Sequence, residues 1–182
     1  MKSKFLVAAV LVGALIGAWK ISKEREAQPD LANTEQFISY ASDQAVADAQ
    51  KFDGITLDYS IDSIKNVDAV LGQVHDSYVK NPDSVQVEGV AAEYGAYVGE
   101  VIRRHEPGTY WTKDSKTMGQ KIYPLHRGSS ETYPIAWCAH KVINGDEDNI
   151  WTKYTVLRDD VLKAYGKKDV SKADSHSEQS SK

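Results

Sequence analysis

Residues 85–105 read Val85-Gln-Val-Glu-Gly-Val-Ala-Ala-Glu-Tyr-Gly-Ala-Tyr-Val-Gly-Glu-Val-Ile-Arg-Arg-His105. Val87, Val90, Ala91, Tyr94, Val98, Val101 and Ile102 recur at helical spacing, which predicts a helix with one apolar face. Beside that face Ala91, Gly95 and Gly99 follow one another at four-residue intervals. An interior glycine costs a helix roughly 1 kcal/mol relative to alanine. Two on one line therefore predict a second element, helix or sheet, crossing close over the groove they leave. Pro107-Gly108 ends the helix. Glu93, Tyr97, Glu100 and Arg104 form a stripe roughly opposite the apolar face, with Glu100 and Arg104 an i, i+4 pair of favourable orientation. That stripe is either a solvated face with a weak salt bridge or a charged-aromatic ridge that meets a partner. It is the candidate binding site.

Working outward, Asn33-Thr-Glu-Gln36 has the form of a capping box opening a helix. Ile38, Ala41, Ala45, Ala49 and Phe52 give that helix a small, alanine-rich face, and Asp53-Gly54 stops it. Ile55 to Tyr59 is a short strand candidate. Ser60 is a candidate N-cap, with Asp62 in the first turn, for a helix carrying Ile64, Val67, Val70, Leu71, Val74 and Tyr78. Asn81-Pro82 ends it.

Downstream, Thr109–Thr112 and Lys121–Leu125 have strand character, joined by turn chemistry at Lys116–Gly119. Pro124 suggests an edge strand, and Gly128–Ser130 a loop. Pro134 suits the first position of a helix with Ile135, Cys138, Ala139 and Val142 inward, ended by Asn144-Gly145. Asp146 or Asp148 would cap a last helix burying Ile150, Tyr154, Leu157, Val161 and Tyr165. The expected fold is α+β: four to five helices on a small, mostly antiparallel sheet.

The chain begins Met1-Lys-Ser-Lys4, followed by an uncharged run from Phe5 to Trp19 and then Lys20, Lys23 and Arg25. A basic start before a short apolar segment marks a secretory signal or an uncleaved signal-anchor. The run passes directly into Trp19-Lys20 without a polar cleavage region, so the reading favours an anchor. It is short for a span, which takes ~20 residues, but Lys4 and Lys20 can snorkel. Ala9, Gly13 and Gly17 at four-residue spacing would let two such helices approach closely, so the anchor is a candidate for self-association. The expected organisation is a membrane helix over 1–22, a linker over 23–32, one domain over 33–166 and a disordered polar tail over 167–182. The expected location is a bacterial inner membrane, single-pass, with the domain periplasmic.

The 182 residues carry a formal charge of −4. Setting aside Lys2, Lys4, Lys20, Lys23, Arg25 and Glu24 leaves 17 of 22 basic and 25 of 26 acidic residues, about −8 for the rest. That balance disfavours a nucleic-acid partner, whose phosphates need a basic surface. One cysteine excludes an internal disulfide.

Cys138-Ala-His140 lacks zinc-site spacing, and Cys138 falls on an apolar face. Asn144-Gly-Asp-Glu-Asp-Asn149 lacks the ligand pattern of a calcium loop. No metal site, cofactor or catalytic residue is expected. Trp111, Tyr123, Tyr133, Trp137 and Trp151 are core residues or the lining of an aromatic groove.

The segment Gly95-Ala-Tyr-Val-Gly-Glu-Val-Ile-Arg-Arg104, with Leu57-Asp-Tyr-Ser60 before it and Tyr133-Pro134 and Asn144-Gly-Asp-Glu-Asp148 after it, resembles a family of small bacterial domains of uncharacterised function. The likeness covers about residues 55–157. It implies a bacterial origin and one compact domain, and brings no activity or catalytic residue with it. The leading expectation is a non-enzymatic protein-binding module, with an immunity-type pairing as one form. The alternative is an envelope enzyme or glycan-binding domain that uses the aromatic groove and Glu93 or Glu100.

Overall fold

The helix read first is the centre of the domain. In a computed structural model that describes residues 30–159, it spans Val87–His105 (α3), and every residue from Tyr94 to Ile102 is buried. Three earlier and later helices surround it: α1, Thr34–Asp48; α2, Ser63–Lys80; and α4, Pro134–Asn144. A fifth, α5, covers 150–159. The sheet has three short antiparallel strands in the order β1, Thr109–Trp111; β2, Leu125–Arg127; and β3, Ser130–Thr132. The fold is α+β. The expected membrane helix over 1–22 with Ala9, Gly13 and Gly17, most of the linker, and the tail over 167–182 lie outside the described residues. Among the described residues no helix is long and apolar enough to cross a membrane.

Two faces of α3 are covered by helices, α1 on one side and α4 on the other, while α2 packs on α4. The glycine line explains the closeness of α4. A Cβ on Gly95 would meet Ile135 backbone, with the amide nitrogen only 2.8 Å away. On the other side Ala41, Ala45 and Ala49 are buried and let α1 come near. The alanine face and the glycine groove thus each admit a neighbour, as their small side chains predict.

Helix α1 is capped by Asn33, whose side chain accepts the Gln36 N–H at 3.1 Å. The Gln36 side chain reaches back to the Asp30 N–H at 2.7 Å instead of closing a reciprocal box on Asn33. The helix then widens into a π turn, Ala49–Asp53, and stops at Gly54 with φ 65°. The extra residue in that turn takes Phe52 off the buried face, and it is exposed.

Several expected features differ. Among the described residues, 55–59 pair with no strand: Tyr59 turns to φ 60° and the chain leaves for α2. The second strand begins only at Leu125, since Lys121 and Tyr123 both have positive φ and break the extension before it. Pro124 therefore precedes the central strand and marks no edge. Gly128-Ser129 alone forms the turn, and Ser130 already belongs to β3, paired with Arg127. At the last helix Asn149 caps through its side chain, accepting the Thr152 N–H at 2.8 Å. Asp146 and Asp148 do not cap; they pair with Lys141 and Lys153.

Candidate functional site

The four residues of the expected ridge do not make a ridge. Tyr97 is fully buried, Glu100 is 7% exposed, Glu93 is half-buried, and Arg104 alone is well exposed. The stripe lies opposite the apolar face of α3, but α1 and α4 cover both flanks, so a helix that reads as amphipathic is buried nearly all round. What the stripe forms is a polar seam inside the domain that surfaces at its C-terminal end.

Glu100 is the anchor of that seam. Arg103 donates to it through two nitrogens at 2.8 Å each. The Trp111 indole N–H adds a third bond at 2.9 Å, and Arg104 Nε stands 3.9 Å from Oε2. Burial works against the Glu100 charge, but these donors and the two arginine charges outweigh it and hold the carboxyl below its usual range. The expected Glu100–Arg104 pair exists, yet the tighter partner is Arg103, three residues on.

Tyr97 carries the seam toward α2. Its hydroxyl accepts the Tyr59 N–H at 2.8 Å and shares a 2.6 Å hydrogen bond with Ser63 Oγ. The Tyr59 hydroxyl in turn meets Ser42 at 3.2 Å and donates to Asp43 at 3.3 Å. Burial raises the pKa of both phenols. A bulky residue at φ 60° costs on the order of 1–3 kcal/mol, so the surroundings of Tyr59 must over-determine it. They do so from both ends of the residue. The consequence is at the surface, where the Arg104 guanidinium lies 3.4 Å from the centre of the Tyr59 ring.

Glu93 stands apart near the other end of α3. Burial, then the charge of Asp48, raises its pKa. Its neighbour Tyr94 is buried, and its pKa is raised by that burial and by Asp53, Asp48 and Glu93.

A second polar cluster sits on the sheet, and sequence reasoning missed it. The strand register places Tyr110, His126 and Glu131 in one cross-strand row. Glu131 Oε2 accepts hydrogen bonds from Tyr133 at 2.5 Å, Ser115 at 2.7 Å and Thr117 at 3.3 Å. The Tyr133 and Ser115 bonds lead in pulling its pKa down to about 2. His126 Nε2 is 3.8 Å from Glu131 Oε1 and shares a 2.8 Å bond with Thr112, while Tyr110 stacks on the imidazole. Ser115 is no free nucleophile, because its Oγ also accepts the N–H groups of Thr117 and Met118. The signal that could have found this cluster is Leu125–Thr132 itself, a strand, a Gly-Ser turn and a second strand.

Four of the five candidate groove aromatics have separate ring or polar partners, although Trp111 and Tyr123 both pack against the cluster of Ile38, Ala41 and Ala96. Trp111 lies on α3 over Gly99, Tyr123 stacks on Phe37, Tyr133 binds Glu131, and Trp151 sits against Tyr154 beneath the Lys65 ammonium. Cys138 is fully buried, and that burial pushes its thiol pKa up, as expected of a core cysteine. The buried ammonium of Lys141 reaches Asp146 at 2.7 Å and Asp68 at 3.7 Å, while Asp68 also accepts the Ile150 N–H at 2.8 Å. Among the described residues no group of three or more His, Cys, Asp or Glu side chains is placed to hold a metal ion. No protein-family model, curated protein or solved structure matches this chain.

Proposed function

We propose that this chain is a bacterial inner-membrane protein whose α+β domain is a non-enzymatic protein-binding module. An N-terminal hydrophobic helix over 1–22 would hold the domain, on the periplasmic side, close to the bilayer. The partner is another protein at or near the membrane, and an immunity-type pairing with a toxin is the form to test first.

The observation that carries this reading is the state of Glu100. It is the most buried carboxylate of the candidate stripe, and three hydrogen bonds from Arg103 and Trp111 keep it ionised. Such a group fixes its neighbours in place and is a poor proton shuttle. The acidic balance of the domain would also suit a basic partner through charge complementarity. The second reading, an envelope enzyme or glycan-binding domain, keeps Glu93, whose raised pKa is the property a general acid needs.

The test is site-specific photo-crosslinking of the full-length protein in cells. The crosslinker is placed in turn at the exposed positions Tyr40, Val79, Tyr110, Met118 and Val156. A binding module gives one discrete adduct from positions on one face and none from the others. The same diffuse pattern from every position, or no adduct at all, would overturn the proposal.

A further inference from the structure

We infer that Arg104 is a carboxylate-binding residue, which takes an acidic side chain or terminal carboxylate of a partner protein. This rests on the protein-binding reading above and names the chemistry of one contact in it.

The guanidinium is held but not used up. One face lies on the Tyr59 ring, 3.4 Å from its centre. Its Nε points to Glu100 at 3.9 Å, an ion pair too long for a hydrogen bond. Glu100 is already satisfied by Arg103 and Trp111. Among the described residues no acceptor hydrogen-bonds any nitrogen of Arg104, and its side chain is 45% exposed. A planar guanidinium with one face fixed and its outer donors open is arranged to bind a two-oxygen anion edge-on.

The support beneath it belongs to the same device. Tyr59 is an aromatic residue at φ 60°, and its N–H is fixed by the buried Tyr97 hydroxyl. The ring is thereby held rigid as a platform, which lowers the entropy a partner loses on docking there. Arg103 and Arg104 together exceed Glu100 by one positive charge, in a domain that is otherwise acidic. Two carboxylates limit what the site can accept: Asp43, bound to the Tyr59 hydroxyl, and Glu35, close enough to act on Arg103. Neither forms an ion pair with Arg104. Their charge disfavours a dianionic phosphate more than a singly charged carboxylate, so the carboxylate is the ligand assigned.

The experiment is a nitrogen-15 NMR titration of the full-length protein in maltoside micelles, following the arginine Nε–Hε and Tyr59 ring signals. Sodium acetate is the probe, with sodium chloride at equal ionic strength and inorganic phosphate as comparisons. The expected result is a saturable acetate shift at Arg104 and Tyr59 that chloride does not produce. Arg104→Lys keeps the charge but loses the fork, and should weaken the acetate response of Tyr59 by roughly tenfold. Equal shifts at all arginines, no saturation, or a stronger response to phosphate would overturn the assignment. If acetate fails while the crosslinks persist, only this contact falls; if the crosslinks fail, the binding module falls.

Discussion

The Trp111 indole N–H reaches Glu100 Oε1 at 2.9 Å because residue 99 is a glycine. A Cβ at that position would collide with the Cζ2–Cη2 edge of the Trp111 ring and stand 3.3 Å from Pro134 Cγ. The first strand is therefore docked on bare helix backbone, and the indole is brought level with a buried carboxylate. One turn earlier, Gly95 gives the same access to Ile135 at the start of α4. Two glycines thus place both the sheet and a helix against α3.

Alanine at these glycines should be costly despite its better helix propensity. Gly95→Ala drives a methyl into Ile135 backbone, which no side-chain rotation relieves. It should cost about 3 kcal/mol, the upper end for overpacking, where an open helical glycine would gain up to about 1 kcal/mol. Gly72 has nothing within 4 Å of its Cβ position and serves as that control. Melting temperatures of the two variants should move in opposite directions.

Removing the indole donor tests how Glu100 stays charged. Trp111→Phe keeps most of the packing and deletes one of three hydrogen bonds, so the Glu100 carboxyl should rise toward its ordinary value of 4.5. A depressed carboxyl gives stability that is present above 4.5 and lost as pH falls through the folded pKa. The variant should therefore lose stability at neutral pH, and its remaining acid-sensitive contribution should disappear at higher pH than in the wild type. Chemical unfolding followed across an acid pH series checks both.

Much of the helical frame was legible because it rests on local rules. Gly95 and Gly99 announced a close crossing, Pro134 and Gly145 bounded α4, and Asn33 marked the start of α1. Two of the misreadings come from contacts distant in sequence, and a third from local backbone geometry. Tyr59 breaks the strand expected over 55–59 because Tyr97, on another helix, takes its N–H. Periodicity assigned Tyr97 and Glu100 to an outer face, since one helix's pattern cannot show that neighbours cover both flanks. Positive φ at Lys121 and Tyr123 leaves no compositional trace, so the second strand was placed too early.

On the sheet, Tyr133→Phe should raise the pKa of Glu131 from about 2, since the Tyr133 hydroxyl makes the shortest of its three bonds. The wild-type group contributes stability above its ordinary 4.5 that is lost as pH falls toward 2. The variant should begin its acid unfolding at a higher pH. A carbon-13 carboxyl titration of Glu131 in both proteins measures the shift directly, and an unchanged curve would mean that Ser115 and Thr117 suffice.

Tyr97 and Ser63 should behave as one unit. Tyr97→Phe leaves the Tyr59 N–H and Ser63 Oγ without their common partner, at a cost of roughly 1–3 kcal/mol. Ser63→Ala removes the bond to Tyr97 and the 2.6 Å bond that the hydroxyl donates to the Ser60 carbonyl, and leaves the Tyr59 contact in place, so its cost should be similar. The double variant should cost clearly less than the sum, since the shared 2.6 Å bond is lost only once. Additive losses in a double-mutant cycle would show that the two side chains act separately.

Glu106 lies just past the end of α3. Both carboxylate oxygens are buried, and among the described residues neither has a hydrogen bond, although Arg127 Nη1 lies 3.2 Å from Oε2. Burial raises its pKa above the ordinary 4.5, and the Arg127 charge only partly offsets this. Below 4.5 the group is protonated in both folded and unfolded chains, and its contribution to stability is whole. As pH rises through the raised folded value, the unfolded chain gives up the proton more readily, and that contribution is lost. Glu106→Gln cannot titrate. The unfolding free energy of the wild type minus that of the variant should therefore fall as pH is raised above 4.5, and level off once the pH has passed the raised folded value. A difference that stays flat, or grows with pH, would mean that Arg127 outweighs burial and holds Glu106 as a structural ion pair.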